Sequence, residues 1–168
     1  MAKVLAVLMI VACQRQAPAA VVAPVADVQP AAPVAVVTAP HHIDLVSAPP
    51  DGPVAPYIAA ELARAKTDGR RLLVYVGATW CEPCQRFHNA AKAGQLDDVF
   101  GDLRLVEFDL DRDRDRLVVD GYHSEMIPLL ALPATDGKST GRGMQGSIKG
   151  DGAVAQMRPR LQALLATP

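Results

Sequence analysis

Cys81 and Cys84 stand two residues apart in the run Trp80-Cys81-Glu82-Pro83-Cys84. That spacing lets two sulfurs meet across one helical turn. A C-x-x-C that follows an apolar strand and opens a helix has the form of a dithiol–disulfide pair. The first cysteine then sits at the helix N-terminus, where unpaired N–H groups and the helix dipole favour its anion. A thiol so placed falls from a pKa of about 8.5 into a range of roughly 3.5–7.5. Only the thiolate attacks a disulfide. Cys81 is therefore expected to be the exposed nucleophile, and Cys84, one turn inside, the resolving thiol. Pro83 suits the first turn because it lacks an N–H that would have no partner there. Trp80 is expected to shield the sulfurs and to give a substrate a flat surface.

Other groupings carry less. Cys81, Cys84 and His88 offer three soft-metal ligands. A closed zinc site needs four, no fourth stands nearby, and no metal is expected; His88 reads as a surface or half-buried helix residue. Attachment of c-type haem needs a His directly after the second Cys, where Gln85 stands. Residues 111–116 alternate Asp and Arg like the start of a calcium loop. They lack Gly at loop position six (Arg116) and Glu at position twelve (Tyr122), so the run reads as a solvated charged turn and helix start. His123 reads as a loop-surface residue, and His41-His42 as solvated.

The elements that must position the cysteines are legible in the apolar pattern. Residues 56–68 carry Ile58, Leu62 and Ala65 at helical spacing, with Gly69 as a stop. Residues 72–76, LLVYV, form a continuous apolar run, as a strand buried on both faces does. A helix should run from the cysteines to about Ala93, and a helical turn over 96–100. A strand over 103–110, a short helix over 114–120 and a strand over 129–132 follow. Asp136-Gly137 is a hairpin signal, with a partner strand over 142–148. A helix over 154–165 closes the chain. This alternation predicts an α/β fold with a central mixed β-sheet flanked by helices.

The front of the chain has a different composition. Nine of the 14 prolines lie at or before Pro56. Residues 1–12 read as a leader: Lys3, then an apolar run from Val4 to Ala12. Nine helical residues rise roughly 14 Å, well short of a hydrocarbon core about 30 Å thick, so the run is a signal-peptide core and not a span. It ends Ile10-Val11-Ala12-Cys13, which resembles a bacterial lipobox. That resemblance implies lipidation of Cys13, which also accounts for an odd third cysteine. Residues 13–54 read as the lipidated Cys and an Ala/Pro/Val-rich flexible linker, a disordered tether extended at about 3.1 Å per residue in its proline-rich part. Residues 55–168 are long enough for one domain with its own core. A net charge of −1 excludes a general nucleic-acid binder, which needs a basic face.

Over about residues 55–168 the sequence resembles the thioredoxin family. The match is carried by Trp80-Cys81 with Pro83-Cys84 after an apolar strand, and by Ile127-Pro128 before residues 129–132. The resemblance implies a thioredoxin-like fold, a redox-active Cys81–Cys84 disulfide with no other cofactor, and a cis-proline at Pro128 facing that pair. It also implies that Ile127 pairs its backbone with an extended substrate, as in strand addition. Gly146 falls where the family has a loop glycine near the active site.

Two departures stand out. Thioredoxins generally have Gly-Pro between the cysteines, and Glu82-Pro83 stands here; a carboxylate there opposes thiolate formation. They also carry a buried Asp six residues before the first cysteine, where Tyr75 stands. Glu107 aligns with the neighbouring strand, close to that place. It is expected to lie partly buried beneath the pair and to accept the proton of Cys84.

The expected activity is thiol–disulfide exchange, with reduction favoured because Pro83 echoes the reducing branch. The expected substrates are exported proteins with thiols or disulfides, with electrons from a membrane or extracytoplasmic redox partner. The expected location is extracytoplasmic and periplasmic, lipid-anchored to a bacterial membrane; Gln14 after the cysteine favours the outer one. The alternative is a carrier of copper or another soft metal on Cys81 and Cys84.

Overall fold

The structure is a computed structural model, and residues 42–167 are described. The leader, Cys13, His41 and most of the expected tether lie outside them. Five strands form one sheet: β1 (Asp44–Ser47), β2 (Arg71–Gly77), β3 (Leu103–Asp109), β4 (Leu129–Pro133) and β5 (Ser139–Gln145). The helices are α1 (Val54–Thr67), α2 (Glu82–Lys92), α3 (Asp97–Phe100), α4 (Leu110–Val119) and α5 (Ala153–Ala166). The strand order is β1-β3-β2-β4-β5. β1 and β2 run parallel to β3, while β4 runs antiparallel to both β2 and β5. The sheet is mixed and flanked by helices, as the alternation predicted.

β2 is central, and its sequence shows why. Leu72, Val74 and Val76 face one core with Ile58, Ala65, Val106, Phe108 and Leu117. Leu73 and Tyr75 face the other, with Phe87, Leu105, Met157 and Leu161. A strand buried on both faces has no polar side to show, so its apolar run is unbroken.

The sequence expectation fails in three places, each for a physical reason. Composition assigned residues 13–54 to a linker, but Asp44–Ser47 is an edge strand paired with Arg104–Glu107. His42 is exposed, as expected, and at the foot of this strand it hydrogen-bonds Asp97 at 2.7 Å while Arg70 holds its carbonyl. The charged run 111–116 is not a solvated turn throughout. α4 begins at Leu110, capped by the Asp109 carboxylate, which accepts the N–H groups of Asp111 and Arg112. Asp113 is fully buried, with its carboxylate bonded to Arg112 and Arg116 and to the Asp109 N–H. β5 ends three residues earlier than expected because Gly146, at φ +65°, turns the chain inward.

Candidate active site

The candidate site lies just past the C-terminal end of β2. Ala78, Thr79 and Trp80 carry the chain out of the sheet, and Cys81 is the N-cap of α2. Its Sγ accepts the N–H of Cys84 at 3.3 Å. Pro83 stands in the first turn. The helix geometry brings the Cα atoms of Cys81 and Cys84 to 5.2 Å, and the two sulfurs are bonded as a disulfide.

The expected exposure of Cys81 is not what the oxidised site presents. Cys81 is only 5 % exposed and Cys84 2 %. The two cysteines line different openings. Cys81 borders a groove of about 700 Å³ whose walls include Trp80, Met126, Ile127, Val118 and Gly146. Cys84 borders a cleft of about 520 Å³, with Tyr75, Gly77, His88, Glu107 and Asp109.

The groove side holds the residues expected to meet a substrate. Trp80 is 64 % exposed, and its indole N–H donates to the Asp111 carboxylate at 2.7 Å, which fixes the ring over the start of α4. The Ile127–Pro128 peptide bond is cis. The Ile127 carbonyl oxygen lies 3.8 Å from Cys81 Sγ, so this segment faces the disulfide. The Gly146 N–H is bonded to the Pro128 carbonyl at 2.9 Å. The positive φ of Gly146, +65°, favours glycine there, and a Cβ would press on the exposed Met126 side chain. His123 is exposed and lines the same groove.

Glu82, the departure between the cysteines, has its charge taken up locally. Arg86 donates to its carboxylate at 2.8 Å and the Gly150 N–H at 3.2 Å. The Arg86 hydrogen bond first, helped by the Gly150 amide, outweighs desolvation and holds Glu82 below the usual carboxylate range. A paired carboxylate opposes a neighbouring thiolate less than a bare one does.

On the cleft side, Tyr75 occupies the place expected of an Asp in the resemblance. Its hydroxyl donates to the Cys84 carbonyl at 2.9 Å. Gly77 makes the room: a Cβ there would stand 2.9 Å from the Tyr75 hydroxyl and 3.3 Å from Cys84 Cβ. Burial, and then the charge of Glu107, push the Tyr75 hydroxyl well up, so it stays protonated and cannot serve as a base near neutral pH. Tyr75 and Glu107 are register partners in neighbouring parallel strands, so their side chains share the α2 face. Glu107 is 15 % exposed at its side chain and meets His88 Nδ1 at 2.7 Å. The sequence pointed to Glu107 and read His88 separately; their pairing was not visible in it. The one available signal was that His88 stands four residues after Cys84, on the same helix face. Among the described residues no group of His, Cys, Asp and Glu side chains is arranged to hold a metal ion.

Residues 54–132 of this chain match the family described as thioredoxin-like. Solved structures similar to it include a point mutant of thioredoxin from Halobacterium salinarum, 20% identical, covering 77% of this chain and 96% of that one, with a TM-score of 0.45. Thioredoxin from Trichomonas vaginalis is 24% identical, covering 71% and 92%, with a TM-score of 0.40. A poplar thioredoxin h is 17% identical, covering 76% and 99%, with a TM-score of 0.45. No curated protein matches the chain. With a C-x-x-C disulfide at the head of α2, a mixed five-stranded sheet and the match over residues 54–132, the chain has a thioredoxin-like fold.

Proposed function

We propose that the protein is a thiol–disulfide oxidoreductase that reduces disulfides in exported proteins through Cys81 and Cys84. The observation that carries this reading is the Cys81–Cys84 disulfide at the N-terminus of α2, with Cys81 opening onto a groove walled by the cis Ile127–Pro128 segment. In the reduced protein the Cys81 sulfur has the Cys84 N–H and the helix dipole to stabilise its anion. The thiolate attacks one sulfur of a substrate disulfide, and the other leaves as a thiolate. Cys84 then attacks Cys81 Sγ, releases the second substrate thiolate and restores the internal disulfide. The substrate gains two electrons and the cysteine pair loses them. Glu107 is the proposed acceptor of the Cys84 proton, because it borders the same cleft.

Docking uses the Ile127 backbone. Among the described residues, no backbone partner takes either its N–H or its carbonyl. An extended peptide can therefore bond there while its cysteine lies over Cys81. Export rests on the leader, and lipid anchoring at the periplasmic side rests on Ile10-Val11-Ala12-Cys13. A membrane or extracytoplasmic partner must return electrons to the pair.

The test is reduction of a disulfide-bonded peptide by the reduced full chain. Reduction of one disulfide per chain is expected, abolished by Cys81→Ser, with a stable mixed disulfide on Cys81 in Cys84→Ser. Tight one-to-one binding of Cu(I) with no exchange would replace the reading with that of a soft-metal carrier.

A further inference from the structure

Glu107 belongs to β3 and His88 to α2, yet their side chains meet at 2.7 Å. Both border the cleft that holds Cys84. Both also border a second hollow of about 430 Å³ over β1. His88 is 37 % exposed at its side chain and Glu107 15 %. The carboxylate is thus the inner member of the pair and the imidazole the outer one.

That order has a chemical consequence. A carboxylate that accepts one proton per turnover must lose it before the next. An imidazole bonded to it through Nδ1 accepts that proton there while releasing another from Nε2. A His–carboxylate contact therefore joins a sheltered base to solvent.

We propose that His88 positions and resets Glu107, so that the proton given up by Cys84 passes to Glu107 and leaves through His88. The proposal rests on the oxidoreductase reading. In the resolving step the Cys84 S–H proton goes to a Glu107 carboxylate oxygen. The sulfur's electron pair forms the bond to Cys81 Sγ. The bond from Cys81 to the substrate sulfur breaks, and that sulfur leaves with its electron pair. His88 then takes the Glu107 proton at Nδ1 and yields its Nε2 proton to solvent; exchange with water at the two ring nitrogens returns the proton from Nδ1 to Nε2 before the next turnover.

The surrounding charges leave the pair this role. Tyr75 of β2 remains protonated and donates to Cys84. Asp109, further along β3, caps α4, and Arg112 of α4 is engaged by Asp113. On the β1 side Asp44 pairs with Arg104, and Arg70 holds backbone carbonyls. His42 is paired with Asp97. Lys92 stands one turn beyond His88 on α2 and borders the same hollow.

The experiment uses the full chain with Cys13→Ser, so that only the pair reacts. The reduced protein is mixed rapidly with excess dithiobis(nitrobenzoate), which releases one coloured thiolate when Cys81 attacks and a second when Cys84 resolves. The rate of the second phase is expected to rise with pH through an inflection. His88→Asn keeps a donor where Nδ1 stands but does not titrate. It should retain the first phase, lose the inflection and slow the second phase about tenfold near neutral pH. A second handle is His88→Ala, whose second phase should recover on adding free imidazole. A His88→Asn profile that superimposes on the parent overturns the proposal, as does His88→Ala that is fast without imidazole. A parent chain that never releases the second thiolate brings down the oxidoreductase reading itself, a result distinct from either.

Discussion

The Tyr75 hydroxyl donates a hydrogen bond to the Cys84 carbonyl at 2.9 Å, from the position where the resemblance to thioredoxin expects a carboxylate. The residue under Cys84 is therefore an anchor and not a base. Its ring packs on Phe87, with centroids 5.6 Å apart, and so ties β2 to the buried side of α2. The proposed proton acceptor is instead Glu107, its partner in the next strand.

Tyr75→Phe should keep the ring packing and lose only the hydroxyl bond. The expected cost is about 1 kcal/mol of stability, the net worth of one buried hydrogen bond. Urea denaturation measures it. The pH profile of disulfide exchange should be unchanged, because the phenol does not ionise in the working range.

Glu107→Gln should leave the attack of Cys81 intact and slow resolution by Cys84 about a hundredfold, the lower end of what a positioned base contributes. The two-phase release assay separates the steps. Equal slowing of both phases would assign Glu107 a purely structural part.

Asp113→Ala should lower stability by about 1–3 kcal/mol, because it removes the acceptor of the Asp109 N–H and of two partly exposed guanidinium groups. The carboxylate holds Arg112 and Arg116, and Arg116 in turn binds the carbonyls of Pro49, Asp51 and Gly52 ahead of α1. Burial works to raise the Asp113 carboxyl, but the hydrogen bonds from Arg112, Arg116 and the Asp109 N–H outweigh it, and the net direction is down. A depressed carboxyl stabilises the fold fully above its unfolded value of 3.8, and that contribution is lost as pH falls through the lower folded value. Acid denaturation of the parent should thus show a component below about pH 4 that Asp113→Ala lacks.

Asp111→Ala should release the indole of Trp80 from its 2.7 Å bond without touching the cysteines. Substrate docking should weaken, with KM rising by up to about tenfold while kcat holds, the range of one hydrogen bond to a charged group. Trp80 is the single tryptophan, so its fluorescence anisotropy reports the freed ring directly.

The sequence by itself determined what is local. The Cys81–Cys84 pairing, the N-terminal placement of Cys81 and the early Pro83 follow from the rise and turn of one helix. The central burial of β2 follows from its unbroken apolar run. Most element boundaries came within a few residues for the same reason, since periodicity is a property of neighbours along the chain. The tertiary structure alone decided what depends on strand register and on packing between elements. Asp44–Ser47 is four residues among prolines, and only its pairing with Arg104–Glu107, some sixty residues later, makes it a strand. Asp113 looks like any member of an Asp-Arg run until α4 docks and turns one carboxylate inward. The contact between His88 and Glu107 joins a helix face to a strand position. No spacing in a linear chain encodes that contact, because it exists only once the α2 helix and the sheet have packed together.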